Sequence, residues 1–240
     1  MKRTVLITIL VALFLSCFAS CGTFSLNSSF YKDAVSNLKE NTELEIVIKQ
    51  EITTIISGGS STTTSTAKIK AIHLDDKPIF QTTGSIFAIG ANVPYNMYFE
   101  NNTCYMQVYD TKTKVEGDFS SALQKCVGIQ MDTIDLKTLL NLSDEDLKKT
   151  TLQTIEGVNV LSATLDWEEK ELSDVLVSYF IDSDRQLIGM MIEAKRNTTY
   201  ANKETNITFQ WELSFTKPEK EIEIVAPTDL DSYVLQEDKS

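Results

Sequence analysis

Apolar and polar residues alternate along much of the chain after residue 42. The clearest run is ITFQWELSFT at residues 207–216, where five apolar side chains alternate with five polar ones. A two-residue period predicts a strand with one dry face and one wet face, as in an antiparallel sheet covered on one side. Further strands are predicted at residues 43–56, 67–74, 81–90, 95–99, 104–110, 158–167, 174–182, 187–196 and 221–227.

Three short segments between these strands predict turns. SGGSSTTTST at residues 57–66 is low in complexity and contains Gly58-Gly59, which favours a mobile hairpin tip. Asn101-Asn102 predicts the turn of a second hairpin, and Ser183-Asp184-Arg185 predicts a third. The strands therefore follow one another mostly in hairpin order.

Three segments show helical spacing instead. Residues 30–40 predict a short amphipathic helix. Residues 119–127 predict a second one, with Asp118 as N-cap and Gly128 at its C-terminal end. Residues 135–150 predict further helix, in which Ser143 and Asp146 form a capping pair. Roughly nine strands and a few short helices predict an α+β protein, in which the helices cover the dry face of the sheet.

The first twenty residues predict a signal peptide. A basic start, Met1-Lys2-Arg3, precedes the apolar run VLITILVALFL, which is shorter than the roughly 20 residues that a membrane span needs. The stretch Phe18-Ala19-Ser20-Cys21 resembles a bacterial lipobox. This resemblance implies cleavage before Cys21 and lipidation of its sulfur. An ordinary signal peptide, or a weaker lipobox ending at Cys17, are the alternatives.

The charge of the chain is consistent with a covalent anchor. Removal of residues 1–20 leaves 20 basic and 34 acidic residues. Anionic membrane surfaces repel such a body, and nucleic acid binding requires a basic patch that this sequence lacks. We expect residues 21–30 to hold the lipidated cysteine and a flexible tether, and residues 31–240 to form a single domain.

Two cysteines remain in the mature chain beside Cys21. Cys104 shares a strand face with Met106 and Val108, and Cys126 lies on the apolar stripe of the 119–127 helix. Both thiols therefore point toward the apolar interior. An extracytoplasmic location permits a disulfide between Cys104 and Cys126. Two buried, unpaired thiols are the alternative.

The sequence carries no recognisable catalytic or metal-binding pattern. Its single histidine, His73, lies in a predicted strand between Ile72 and Leu74. GxSxG, HExxH, SxxK and CxxC motifs are absent, and too few His and Cys residues remain for a zinc site. We expect a protein without enzymatic activity, cofactor or metal.

Aromatic and methionine side chains concentrate between residues 80 and 109. They are either part of the core or the wall of an apolar cavity, because ligand pockets are mostly apolar with few polar groups. The cavity interpretation selects five candidate ligand-binding residues from this region and from the 207–216 strand: Phe87, Met97, Phe99, Met106 and Trp211.

The order of these features resembles the LolA-like and LppX/LprG-like lipoproteins. YFIDSDRQLIGMMIE (179–193) is similar to their strand–Asp–turn–strand unit, and IEIVAPTD (222–229) is similar to their closing strand. The resemblance implies a curved antiparallel sheet, an incomplete barrel, with short helices plugging its concave face. It also implies that lipids or lipid-linked molecules bind between the sheet and the plug.

These observations lead to one functional hypothesis and one alternative. The first is a lipoprotein anchored on the extracytoplasmic face of a bacterial membrane, which binds or carries an apolar or lipid-linked molecule. The alternative is a surface adaptor or sensor that acts by protein contact and has no ligand cavity. A cavity of several hundred Å³ that is lined by methionine and aromatic side chains favours the carrier, whereas a solid core with an exposed apolar patch favours the adaptor.

Overall fold

The protein folds as one open, mostly antiparallel sheet with short helices on one face, as seen in a computed structural model that describes residues 24–56, 58–88, 90–131, 136–167, 171–200 and 203–236. The described helices are α1 (Phe24–Lys39), α2 (Phe119–Val127), α3 (Leu136–Leu139) and α4 (Asp144–Lys148). The strands are β1 (Leu44–Ile56), β2 (Gly59–Ile72), β3 (Ile79–Ala88), β4 (Ala91–Glu100), β5 (Thr103–Val108), β6 (Thr111–Glu116), β7 (Thr151–Ile155), β8 (Val158–Trp167), β9 (Leu172–Ile181), β10 (Leu187–Tyr200), β11 (Lys203–Thr216) and β12 (Val234–Leu235).

The strand order is β12-β6-β5-β4-β3-β2-β1-β11-β10-β9-β8-β7. Every described pair is antiparallel except β12 with β6, which is parallel. Since β12 and β7 lie at opposite edges of this order, the sheet does not close into a barrel. The predicted α+β class, with a curved incomplete barrel plugged by short helices, is confirmed.

Strand register brings the dry positions of β1 to β4 and of β9 to β11 to the concave face. Ile48 at the centre of β1 lies opposite Ala67 of β2 and Leu213 of β11. The same row continues to Tyr95 on one side and to Tyr179 on the other. All five side chains are buried in one hydrophobic core. Because every second residue of each strand faces the same side, the aligned apolar residues of neighbouring strands form a continuous apolar surface across the sheet.

Helix α1 closes the concave face over β8 to β10. Tyr31 of α1 and Tyr179 of β9 meet edge to face with ring centroids 5.2 Å apart. Both hydroxyls donate to the carbonyl oxygen of Leu139, at 2.7 and 2.8 Å, and the Tyr31 hydroxyl accepts from the Leu142 amide at 2.9 Å. Burial raises the pKa of Tyr31 to about 12. This network joins α1, α3 and the sheet.

Several local predictions are confirmed atom by atom. The Ser121 amide donates to Asp118 Oδ1 at 2.9 Å, and Gly128 ends α2 with φ of +68°. Ser143 and Asp146 form the predicted capping box of α4. Asn101 and Asn102 both have positive φ, at 50° and 57°, which suits the tight turn between β4 and β5.

Other predictions require correction. The threonine-rich segment is strand rather than a mobile tip, because β2 begins at Gly59 and pairs with β1 along its whole length. Residues 221–227 form no strand; the closing strand is the two-residue β12. The flexible tether is replaced by helix from Phe24 onward, where the buried Asn27 donates to the Thr150 carbonyl oxygen at 3.0 Å. Strands β6 and β7 are not among the strands predicted from the sequence.

Candidate ligand site on the concave face

The aromatic and methionine cluster formed by Phe80, Met97, Phe99 and Met106 lies on the concave face of β3 to β5, whereas Tyr98 and Tyr105 alternate with these positions and point to the convex face. Met97 of β4 lies opposite Thr82 of β3 and Met106 of β5. Two residues further along β4, Phe99 lies opposite Phe80 of β3 and Cys104 of β5. This surface is apolar except for the buried Thr82 hydroxyl, for which the described residues offer no hydrogen-bond partner.

Helix α2 covers this cluster. The ring of Phe119, its first residue, stacks on Phe80 with centroids 4.0 Å apart and meets Phe99 at 5.4 Å. Leu123 and Val127 of the same helix are buried in the core. Because the side chains of α2 fill the space above β3 to β5, any ligand that binds to this part of the sheet must displace the helix.

Gln50 joins the segment that follows α2 to the middle of the sheet. Its side chain is 2% exposed. Its Nε2 donates to the carbonyl oxygen of Gly128 at 2.9 Å. Its Oε1 accepts from the Gln130 amide at 2.8 Å and from Trp211 Nε1 at 2.9 Å. One side chain thereby satisfies three polar groups from two distant parts of the chain, the 128–130 segment and β11.

The structure separates the five residues selected as candidate ligand contacts. Met97, Phe99 and Trp211 are fully buried, and Trp211 stacks on Phe209 with centroids 5.4 Å apart. Met106 is half-buried at the margin of the core. Phe87 differs: it is 47% exposed and alternates with the core-facing Ile86, so it points to the convex face. Four of the five therefore share the concave side, and Phe87 does not.

A groove of about 610 Å³ opens at the end of the sheet beside the C-terminal end of α1. Its floor is formed by Leu38, Leu44, Leu187 and Phe215, all of which belong to the hydrophobic core or pack directly on it. A volume of this size lies within the range of small-molecule pockets, which is about 300 to 1,000 Å³. An apolar chain in this groove would contact the core without displacing a helix.

The rim of the groove is polar. Asn41 donates from Nδ2 to the carbonyl oxygens of Asn37 and Leu38, which ends α1. On the opposite rim, Asp182 Oδ1 accepts from the amides of Asp184 and Gln186, at 3.0 and 2.8 Å. An apolar floor under a hydrogen-bonding rim suits an amphiphile, whose chain can lie on the floor while its head group stays in water.

An ion pair, a cation–π contact and a hydrogen bond hold the β9–β10 turn against α1 and so fix the shape of this rim. Arg185 forms an ion pair with Asp33 of α1, and its guanidinium lies over the Phe30 ring, 4.9 Å from the centroid. Asn37 Nδ2 donates to the Arg185 carbonyl oxygen at 2.9 Å. The groove is thus bounded by a helix and a turn that are fastened to each other.

The groove residues were not selected from the sequence. Leu38 lies in the predicted 30–40 helix and Phe215 in the predicted 207–216 strand, and neither pattern indicates a binding role. The groove forms where the end of α1, the start of β1 and the β9–β10 turn meet. The pattern of apolar and polar residues within one segment does not indicate which other segments it will contact. Placing α1 across the ends of these strands would have been necessary to find it.

Cys104 and Cys126 face each other between β5 and α2. Both thiols are free, and they make a side-chain hydrogen bond. This bond and burial raise the pKa of Cys104, whereas the same bond lowers the pKa of Cys126. Cys104 and Cys126 are therefore in contact but not bonded, and the disulfide between them stays a prediction. Cys21 lies outside the described residues.

Comparison with known proteins identifies the fold. No family model and no curated protein matches the chain. Among solved structures, LprF from Mycobacterium bovis aligns with 85% of this chain and 97% of its own, at 12% identity and a TM-score of 0.52. The chain has the fold of LprF, in agreement with the predicted resemblance to the LppX/LprG-like proteins.

Two further solved structures were aligned at lower similarity. A LolA superfamily protein from Nitrosomonas europaea covers 80% of this chain and 91% of its own, at 8% identity and a TM-score of 0.28. An outer membrane lipoprotein-sorting protein domain from Vibrio parahaemolyticus covers 77% and 90%, at 12% identity and a TM-score of 0.26. Within the part of the chain that the structure describes, no helix is long and apolar enough to cross a membrane.

Proposed function

We propose that this protein is a membrane-anchored, extracytoplasmic lipoprotein that binds and carries an apolar or lipid-linked molecule without enzymatic activity. The observation that carries the proposal is the groove of about 610 Å³ whose floor is the hydrophobic core itself. Leu44, Leu187 and Phe215 of the floor are themselves only 4 to 8% exposed, so an acyl chain in the groove gains mainly by removing its own methylenes from water, at about 0.8 kcal/mol per buried methylene.

The shape of the groove favours an amphiphile over a wholly apolar ligand. Leu44 and Leu187 lie at the floor, whereas Asn41, Gln186 and Lys217 lie among the residues that line it. Polar groups at a pocket mouth fix the orientation of a ligand, and the apolar floor supplies most of its binding energy. The fold shared with LprF is consistent with this function, and the residues of the groove supply the chemistry.

Anchoring through Cys21 completes the proposal. Two residues, Gly22 and Thr23, separate Cys21 from Phe24 at the start of α1, so the Cα atoms of Cys21 and Phe24 are at most about 11 Å apart. A lipid on Cys21 would therefore hold the N-terminal end of α1 close to the membrane. Replacement of Cys21 by Ser in the full chain should move the protein from the membrane fraction to the soluble fraction of expressing bacteria. Retention of the Cys21→Ser variant in the membrane fraction argues against this anchor.

Native mass spectrometry of residues 22–240, purified from bacteria without detergent, tests ligand binding. We expect a stoichiometric adduct of lipid size that disappears on extraction with organic solvent. A mass without adduct, unchanged after incubation with total membrane lipid, refutes the carrier and favours the adaptor.

A pair of variants places the ligand in the groove. Leu38→Trp puts a large ring into the groove, because Leu38 lines it from α1. Ser36→Trp is the matched control, since Ser36 is exposed on the same helix and does not line the groove. We expect the adduct to be strongly reduced in Leu38→Trp and kept by Ser36→Trp. Equal adduct in both variants excludes the groove as the binding site.

A further inference from the structure

The two core thiols join the plug to the sheet. Cys104 lies in β5, is fully buried, and has Phe99 and Val115 as its strand partners. Cys126 lies in the last turn of α2 and is half-buried. Their side chains form a hydrogen bond across the boundary between helix and sheet. Cys126 packs against the same hydrophobic core that contains Cys104. A disulfide has an S–S distance of about 2.05 Å, so bond formation requires the two sulfurs to move from hydrogen-bond contact to that distance.

We propose that Cys104 and Cys126 form a redox-active dithiol whose reversible disulfide fastens α2 to the concave face of the sheet. The position of Cys126 matters for this role. Phe119 at the other end of α2 is already held by its stacking on Phe80, with centroids 4.0 Å apart. A bond at Cys126 therefore fixes the second end of a nine-residue helix.

The two thiols have different parts in the reaction. Cys126 is the more exposed one, and the hydrogen bond from Cys104 together with the charge of Lys125 lowers its pKa. Its thiolate attacks one sulfur of a low-molecular-weight disulfide such as glutathione disulfide, forms a mixed disulfide and releases one thiolate. Cys104 then loses its proton, attacks the Cys126 sulfur and releases the second thiol. The protein dithiol is oxidised, and one disulfide is reduced to two thiols.

The bond would limit motion of α2 away from the aromatic and methionine cluster. In the reduced protein, Met97 and Phe99 are covered by a helix that is held by packing, by Gln50 and by its neighbours in the chain. In the oxidised protein, α2 cannot leave β5 without breaking a covalent bond. If the protein carries a ligand as proposed above, on which this step rests, the same disulfide controls access of that ligand to the concave face beneath α2.

Peptide mapping of the full chain tests formation of the bond. The protein is equilibrated with glutathione buffers of increasing oxidised fraction, alkylated and digested. We expect a peptide pair linked through Cys104 and Cys126 that appears with oxidation and disappears on reduction. Two alkylated cysteines in the most oxidising buffer, or a persistent glutathione adduct on Cys126, overturn the proposal.

Hydrogen exchange tests the fastening of α2. Oxidation should slow exchange of the α2 amides by about tenfold or more and raise Tm by roughly 5 to 10 °C. Cys126→Ser is the control, since its α2 exchange should not respond to glutathione. A linked peptide without slower α2 exchange overturns the fastening role. If exchange slows but the lipid adduct is lost equally fast from both forms, the disulfide stands and only control of ligand access fails.

Discussion

Gln50 should contribute more to stability than any single exposed polar residue of the sheet. Leu has a similar volume but no polar atom, so Gln50→Leu leaves the Gly128 carbonyl, the Gln130 amide and Trp211 Nε1 without this partner. Each buried group that loses its partner costs about 1 to 3 kcal/mol. Partial relaxation of the 128–130 segment reduces the sum, and we expect a loss of about 3 to 5 kcal/mol in the free energy of unfolding.

Urea unfolding followed by Trp fluorescence and circular dichroism measures this loss by linear extrapolation. Gln107→Leu is the matched control, because the Gln107 side chain donates one exposed hydrogen bond, to the Tyr109 carbonyl oxygen. We expect the control to lie within about 0.5 kcal/mol of the wild type. A double-mutant cycle with Trp211→Phe should give a coupling energy of about 1 kcal/mol. A Gln50→Leu loss no larger than that of the control would refute the argument.

Three further predictions concern local packing, titration and capping. Gly84→Ala should cost at least about 2 kcal/mol, because its Cβ would clash with the Thr66 backbone carbonyl oxygen and would lie 2.6 Å from Tyr95 Oη. Gly59→Ala should be far milder, since the nearest atom to its Cβ is the Ile56 oxygen at 3.5 Å; equal urea midpoints for the two variants would contradict this. Burial raises the pKa of Tyr31 to about 12. The contribution of its neutral hydroxyl to the free energy of unfolding is therefore complete below pH 10 and decreases as the pH rises toward 12. Stability of Tyr31→Phe should therefore fall less steeply over pH 10–12, and identical slopes speak against it. Asp118→Ala should cost about 1 kcal/mol through loss of the α2 cap, and Asp118→Asn much less, as thermal unfolding would show.

The elements that sequence predicted best are those whose signal is local. The 207–216 alternation places Phe209, Trp211 and Leu213 on one face, and the structure buries all three. Asp118 and Gly128 bracket α2 as predicted because a cap involves only residues within one helical turn.

The elements that were missed depend on distant partners. The threonine-rich half of β2 has weak patterning of its own and becomes strand because β1 pairs with it residue by residue. Gln50 appears in the sequence as a polar residue in a strand. Its burial follows from a register that puts it beside Trp211 and from a loop that returns 78 residues later. Contacts between residues so far apart in the chain do not affect the spacing of apolar residues, so the sequence pattern does not predict them.

The two parts of the concave face should discriminate between ligands by chain length. Binding beneath α2 requires the burial of Phe119, Leu123 and Val127 to be given up, at about 1.5 to 3 kcal/mol for each side chain. At about 0.8 kcal/mol per methylene, a ligand must bury roughly 6 to 11 methylenes to offset that cost. The groove beside Leu38 and Phe215 carries no such cost. Short-chain amphiphiles should therefore be lost from Leu38→Trp entirely, whereas long-chain lipids should retain weak binding that the oxidised protein abolishes. Equal loss across chain lengths in native mass spectra would show that α2 does not open to ligand.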